Sequence, residues 1–207
     1  KQDLHKKETD DAMWKIYEPR WPKSADGKWY YKTDTSSDEL DGHYFLYALY
    51  YDLVADTESE KERVREHVRR LTDHIIEHGF QLMDHDGRPT RWARYSPKEL
   101  NFDKNWFVER GLNSLSILSY LITTAHITGD DKYRDIASIL VNQHGYAQNM
   151  IDMKFQRGFG TGNQSDDEMA FMCYYNLVNY EQDPELRSRY AFSFWLAWQQ
   201  EAPELNP

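Results

Sequence analysis

The stretch that decides the fold is LNSLSILSYLITTAHI, residues 112–127. It carries apolar side chains on nearly every face of a helix, so as a helix it needs neighbours on all sides. After a short polar turn, residues 130–144 carry their apolar side chains on a single stripe, which is typical of a helix that covers another element on one side only. The two segments together predict a hairpin of one inner and one outer helix.

The same alternation occurs three times along the chain. The inner segments, apolar almost all round, are residues 40–54, 112–127 and 169–180, and the outer segments, with one apolar stripe, are residues 58–77, 130–144 and 184–200. This pattern predicts an all-α array of three inner/outer hairpins over residues 36–207, after an irregular N-terminal segment, residues 1–35. Residues 80–95 alternate in polarity around Asp86-Gly87, which predicts a small β-hairpin inserted between the helical pairs.

Composition restricts the partners that we expect. The chain of 207 residues has a formal net charge of −10, which argues against nucleic acid and anionic membranes as partners. No apolar stretch reaches the length of about 20 residues needed to span a bilayer. The aromatic share of 15% indicates either a bulky core or a cleft lined with ring faces, as in saccharide-binding proteins.

Cysteine and histidine usage points to no metal and no cofactor. Cys173 is the only cysteine, and its apolar surroundings predict a buried thiol rather than a nucleophile. The histidines follow no metal-binding pattern. The chain opens with Lys1 and shows no signal peptide, which suits a mature or trimmed product. The compartment stays open, with the periplasm and secretion among the alternatives, and so does the oligomeric state.

Two S-x-x-E boxes, residues 36–39 and 165–168, stand at the starts of two inner helices and suggest a degenerate internal repeat. Acidic residues in a first helical turn complement the helix dipole and cap free amides, which stabilises a helix by about 0.5–2 kcal/mol. Because serine and glutamate already form the cap, Asp38 and Asp167 are free for another role. They are the candidate pair of catalytic carboxylates, projecting from two inner helices toward a shared mouth.

Each of the remaining candidate residues has both a functional and a structural interpretation. His43 is either a satisfied core histidine or a third catalytic residue that titrates in the site. A second group of residues would bind substrate, by stacking of rings, by positive charge or by hydrogen bonds to carboxylates and hydroxyls. In the structural interpretation the same residues are surface arginines, an exposed ring and an internal ion pair. The members of this group are Arg91, Trp92, Arg94, Glu109, Arg110 and Asn113.

Three sequence blocks carry a resemblance to a known superfamily. They are TSSDELDGHY at residues 35–44, ERGLNS at residues 109–114 and SDDEMAF at residues 165–171. With the alternating helices, they resemble the (α/α) toroid proteins of six-hairpin glycosidase-like architecture, and more narrowly uncharacterised bacterial proteins that process carbohydrates. A complete toroid has six hairpins, so the resemblance implies that these three hairpins are part of a larger one.

Two functions from different classes follow. The resemblance implies a carbohydrate-active enzyme, a glycoside hydrolase or polysaccharide lyase that acts on a uronate-containing saccharide by carboxylate acid/base chemistry. The alternative is a non-catalytic helical repeat module that binds a glycan or a protein partner and whose acidic residues only cap helices.

Overall fold

The computed structural model describes residues 19–33, 35–154 and 164–201, so half of the predicted irregular segment, residues 1–18, lies outside the described residues. The described part is mostly helical with one small antiparallel sheet. Its inner helices are α1 (Ser37–Leu53), α4 (Arg110–Thr128) and α7 (Gln164–Tyr180), and its outer helices are α2 (Glu58–Glu77), α5 (Lys132–His144) and α8 (Pro184–Glu201). The remaining elements are β1 (Gln81–Met83), β2 (Pro89–Arg94), α3 (Pro97–Phe102), a 3-10 helix (Lys104–Glu109) and α6 (Tyr146–Asn149).

Local signals explain where the helices begin and end. Thr57 caps α2, because its hydroxyl accepts the Glu60 N–H at 3.2 Å while the Glu60 carboxylate accepts the Thr57 N–H at 3.0 Å. Gly129 and Gly145 follow α4 and α5 with φ of 70° and 68°, the left-handed conformation that ends many helices. The second predicted box differs: α7 begins at Gln164, so Ser165 lies inside the first turn rather than before it.

The three inner helices contact one another pairwise, as the sides of a triangle. In a ring of six hairpins the first and third inner helices would be second neighbours and would lie apart, whereas here α1 contacts α7 directly. Each outer helix contacts at least one inner helix. The predicted helical fold class is therefore confirmed, with each long outer helix packed on an inner one.

The inner helices run in the same direction, since their C-terminal ends meet. Asp52 near the end of α1 accepts a hydrogen bond from the Tyr180 hydroxyl at 2.8 Å and contacts His126 Nε2 at 2.9 Å. Nearer the other end, Asp41 of α1 and Ser116 of α4 both lie beside Cys173 of α7, at 3.2 and 3.8 Å from its sulfur. Since Asp41 and Ser116 stand four and six residues from the first residues of their helices, α1 and α4 begin within about one turn of each other.

Among the described helices, only α4 is buried on all sides. Every residue from Gly111 to Ala125 is buried, including Leu118 at 0% exposure. The expectation that all inner helices are inaccessible is wrong for α1 and α7: Leu49 and Met172 are half-buried, and Leu46 is 56% exposed. The reason is geometric, since α4 lies at the centre of the contacts and the other two inner helices each keep one open side.

The predicted β-hairpin is confirmed, and hydrogen bonds attach it to the start of α4. Strands β1 and β2 are antiparallel with a register shift, and the Asp84 N–H donates to the Arg88 carbonyl across the turn at 2.8 Å. The buried Asn113 amide donates to the Trp92 and Arg94 carbonyls at 3.1 and 3.0 Å. These bonds hold the hairpin beside the N-terminal end of α4.

Candidate functional site

The β-hairpin and the first turns of α4 and α7 lie together at one end of the inner helices, and this end is called the rim. Glu109 lies one helical turn before Asn113, and therefore directly above the amide that holds the hairpin. On the other side, Cys173 of α7 is level with Ser116 of α4, with 3.8 Å between sulfur and hydroxyl. Asp166 and Glu109 both lie seven residues before that level, about 10 Å along their helix axes. The two carboxyl groups thus stand at a similar height on neighbouring helices.

Glu109 at this rim has a carboxyl group whose pKa departs from the ordinary value. Its side chain is partly buried, and burial raises the pKa of its carboxyl above the ordinary value. The nearby Asp166 carboxylate raises the pKa further, while the Arg91 guanidinium opposes both effects. A carboxyl group whose pKa is raised by burial and by a second carboxylate holds its proton to a higher pH than an ordinary glutamate does, which suits a general acid. Glu109 was predicted as a substrate-binding residue, and its environment suits an acid.

Arg91 and Trp92 provide a flat cationic surface at the same rim. The Arg91 guanidinium carbon lies 4.2 Å from the centre of the Trp92 ring, and the Trp92 side chain is 38% exposed. Stacking of this kind fixes a guanidinium that otherwise moves freely. The predicted combination of ring and positive charge is therefore present, with Arg91 as the cation.

Arg94 and Arg110 face other partners. Arg94 donates to the Glu99 carboxylate and to the Thr90 carbonyl, both at 3.2 Å, and its guanidinium lies over the Trp106 ring. The Arg110 guanidinium carbon lies 5.0 Å from the centre of the Phe107 ring. The contacts of Arg94 support the structural interpretation of that residue. Its role in substrate binding, like that of Arg110 and Asn113, stays a prediction.

Asp167 lies in a buried ion pair. Its Oδ2 atom is 2.5 Å from Lys154 Nζ, and the two side chains are 9% and 4% exposed. The pair ties the start of α7 to the segment that follows α6. A carboxylate so placed compensates an ammonium ion rather than projecting into open solvent.

Asp38 lies at the exposed start of α1, where it accepts a hydrogen bond from the Ser36 hydroxyl. His43 is exposed and stacks on Tyr47 with 5.6 Å between ring centres, so the interpretation as a core histidine is wrong. The structure thus places the three predicted catalytic residues in three different environments.

A buried acid that the motif analysis did not single out is Asp41. It lies between the inner helices and accepts hydrogen bonds at Oδ1 from the Tyr120 hydroxyl at 2.5 Å and from the Cys173 thiol at 3.2 Å. Its Oδ2 atom has no hydrogen-bond partner among the described residues. Burial raises the pKa of Asp41 to about 7, against the effect of these donors.

Sequence periodicity contained a signal for Asp41. It stands three and seven residues before Tyr44 and Ala48, both fully buried, and so shares the buried face of α1. A carboxyl group on a core-facing stripe is unusual enough to single out. The same surroundings raise the pKa of the Cys173 thiol, which is 1% exposed, so the predicted buried cysteine is confirmed.

Within the described residues, no group of three or more His, Cys, Asp and Glu side chains is arranged to hold a metal ion. None of the described helices is long and apolar enough to cross a membrane. Comparison of the chain with models of protein families, with curated proteins and with solved structures gives no match.

Proposed function

We propose that this chain carries the acid/base site of a carbohydrate-active enzyme, a glycoside hydrolase or polysaccharide lyase that acts on a uronate-containing saccharide. The observation that carries the proposal is the half-buried Glu109 carboxyl with its raised pKa, beside Asp166 and Arg91 at an open rim. Glu109 would donate the proton to the leaving oxygen, because a raised pKa keeps a carboxyl protonated to a higher pH than that of an ordinary glutamate.

The neighbouring groups suit a sugar acid. The exposed face of Trp92 offers a surface for the apolar side of a sugar ring, and Arg91 supplies positive charge for a uronate carboxylate. The parallel inner helices and their outer partners support assignment to the (α/α) toroid architecture, which keeps its chemistry at the ends of inner helices. In this proposal the direct contact of α1 with α7 is the departure from a regular toroid.

The alternative function, a non-catalytic helical module, has its own supporting observation. Asp167 and Arg94 are engaged in structural contacts with Lys154 and Glu99. If Glu109 were equally structural, the rim would bind a glycan without transforming it.

A screen of the full chain against uronate-containing oligosaccharides distinguishes these functions. New reducing ends without absorbance indicate hydrolysis, and absorbance of a new double bond indicates elimination. On a substrate that is turned over, we expect Glu109→Gln to lower turnover by about 100-fold or more, the scale of a lost acid/base group. The matched control is Glu77→Gln, an exposed carboxylate on α2 that should leave turnover unchanged. Full activity of Glu109→Gln would contradict the proposed site.

A further inference from the structure

The segment that precedes α1 forms a small ribbon of two antiparallel strands, residues 20–33. Lys23 and Tyr30 are bridge partners in it. The Thr33 N–H donates to the Arg20 carbonyl at 3.2 Å, which continues the same register to the base of the ribbon. This register decides which side chains of the ribbon share a face.

One face of the ribbon alternates aromatic rings and ammonium groups. Cross-strand partners share a face, and so do every second residues along a strand. The four side chains that the register places on this face are Trp21, Lys23, Tyr30 and Lys32. Lys23 Nζ lies 5.6 Å from the centre of the Tyr30 ring, and the Trp21 and Tyr30 side chains are 56% and 65% exposed. Each of these two rings therefore has a lysine opposite to it.

The ribbon stands at the same end of the inner helices as the rim. Its last residue, Thr33, comes shortly before the start of α1, and the Thr33 carbonyl lies 3.1 Å from His85 Nδ1 in the turn of the β-hairpin. From that turn β2 leads to Arg91 and Trp92, which provide the flat cationic surface of the rim. One β-hairpin thus connects two surfaces that combine exposed rings with positive charge.

The ribbon is positive although the chain has a net charge of −10. Its charged side chains are four cations, Arg20, Lys23, Lys28 and Lys32, and one carboxylate, Asp26. Asp26 is engaged in the turn of the ribbon, where it accepts hydrogen bonds from the Ser24 hydroxyl at 2.6 Å and the Lys28 N–H at 3.1 Å. Lys23 and Lys28 are exposed, and neither forms an ion pair with a described residue.

Acidic side chains at the base of the ribbon are paired or buried. Glu39 of α1 pairs with Lys32, so four cations stand against two carboxylates when Glu39 is counted with the ribbon. In the turn of the β-hairpin, Asp86 pairs with Arg88 at 2.6 Å, and Asp84 is only 7% exposed. The outer part of the ribbon therefore keeps an excess of positive charge beside its rings, which favours an acidic ligand.

We propose that the ribbon is a non-catalytic binding site for an acidic oligosaccharide and extends the surface of the rim along the saccharide chain. The sugar rings lie against Trp21 and Tyr30, and their carboxylates meet Lys23 and Lys28. The charge excess selects an acidic ligand, and the exposed rings select one with flat apolar faces; a chain of acidic sugars has both. The choice of a saccharide over another ligand of this kind rests on the proposed function.

The test measures binding of an octasaccharide of galacturonic acid by titration calorimetry, with a neutral octasaccharide of glucose as comparison. Binding is measured in the full chain and in Glu109→Gln, which should bind the ligand without cleaving it. We expect Lys23→Gln/Lys28→Gln to lose affinity for the acidic ligand by about 10-fold or more through loss of two charge contacts. Trp21→Ala/Tyr30→Ala should lose a similar factor through loss of ring contact.

Matched controls remove the same groups from the outer helices. Arg70→Gln/Arg187→Gln removes two exposed positive charges, and Phe192→Ala/Trp195→Ala removes two exposed rings from α8. Both controls should keep the wild-type affinity for the acidic octasaccharide. If the chain turns over a long acidic substrate, the two ribbon variants should raise KM and leave kcat unchanged.

Several outcomes overturn the ribbon site. Absence of binding to the acidic octasaccharide does so, as do wild-type affinity in both ribbon variants, equal loss in the controls, or equally tight binding of the neutral octasaccharide. Binding of phosphatidylserine vesicles without binding of the octasaccharide would assign the ribbon to a membrane surface instead. Ribbon-dependent binding in a chain that turns over no saccharide would support this site while the proposed enzyme activity fails.

Discussion

Asp41 and Asp167 are both buried on inner helices, yet their partners differ in kind. Asp167 faces the ammonium group of Lys154, and both side chains are at most 9% exposed. Asp41 faces only neutral donors, the Tyr120 hydroxyl and the Cys173 thiol, and its pKa rises to about 7. Burial of a carboxyl group is thus compensated in two ways: Asp167 has a cation beside it, and burial raises the pKa of Asp41 toward the neutral form.

The largest expected effect follows from the ion pair. Asp167→Asn leaves Lys154 buried without its closest carboxylate, so we expect the free energy of unfolding to fall by about 3–5 kcal/mol. If Ser165 and Glu168 alone cap this helix, as the sequence predicts, the same variant should fold normally. Urea denaturation of Asp167→Asn and of the double variant Lys154→Met/Asp167→Asn decides between them. The double variant should recover much of the loss, because it buries no unpaired charge; equal stability of Asp167→Asn and wild type would contradict the pairing.

The next effect is a pH dependence specific to Asp41. Its folded pKa of about 7 lies above the ordinary value, so its stabilising contribution is complete below about pH 4 and is lost as the pH rises toward 7. The difference between the folded and ordinary pKa values of Asp41 corresponds to about 4 kcal/mol of unfolding free energy. We expect Asp41→Asn to flatten the dependence of unfolding free energy on pH across this window. Asp56→Asn, at an exposed position, should keep the wild-type profile; an unchanged profile in Asp41→Asn would show that this carboxyl is ionised throughout.

The smallest expected effect on stability concerns Glu109, which is only half-buried. Because its pKa is raised in the folded chain, the ionised form is disfavoured there, and the neutral Glu109→Gln should be as stable as wild type or slightly more stable near pH 7. We expect a change below about 1 kcal/mol, as for partly exposed substitutions. Thermal unfolding at pH 5 and pH 8 measures it. A large loss would make Glu109 a structural residue and weaken its proposed role as an acid.

The candidate site followed from the sequence only in part. The Trp92 ring with a neighbouring arginine and the acidic start of α4 were both identified, and both lie at one rim. Asp38 and His43 were placed in that mouth because each stands near the start of an inner helix. Both side chains are exposed on α1, whereas the charged groups that act on Glu109 are Asp166 and Arg91, which only packing brings near it.

The sequence by itself determined the order and type of the six long helices and the β-hairpin, the hairpin turn at Asp86-Gly87, and the helix ends at Gly129 and Gly145. These depend on the periodicity of apolar residues and on turn chemistry, which act between neighbours along the chain. Only the tertiary structure decided which group each acid meets. Tyr120 stands 79 residues from Asp41 and Cys173 stands 132 residues from it. Whether a buried carboxyl is charged depends on such distant partners, because only packing of the inner helices brings them into contact.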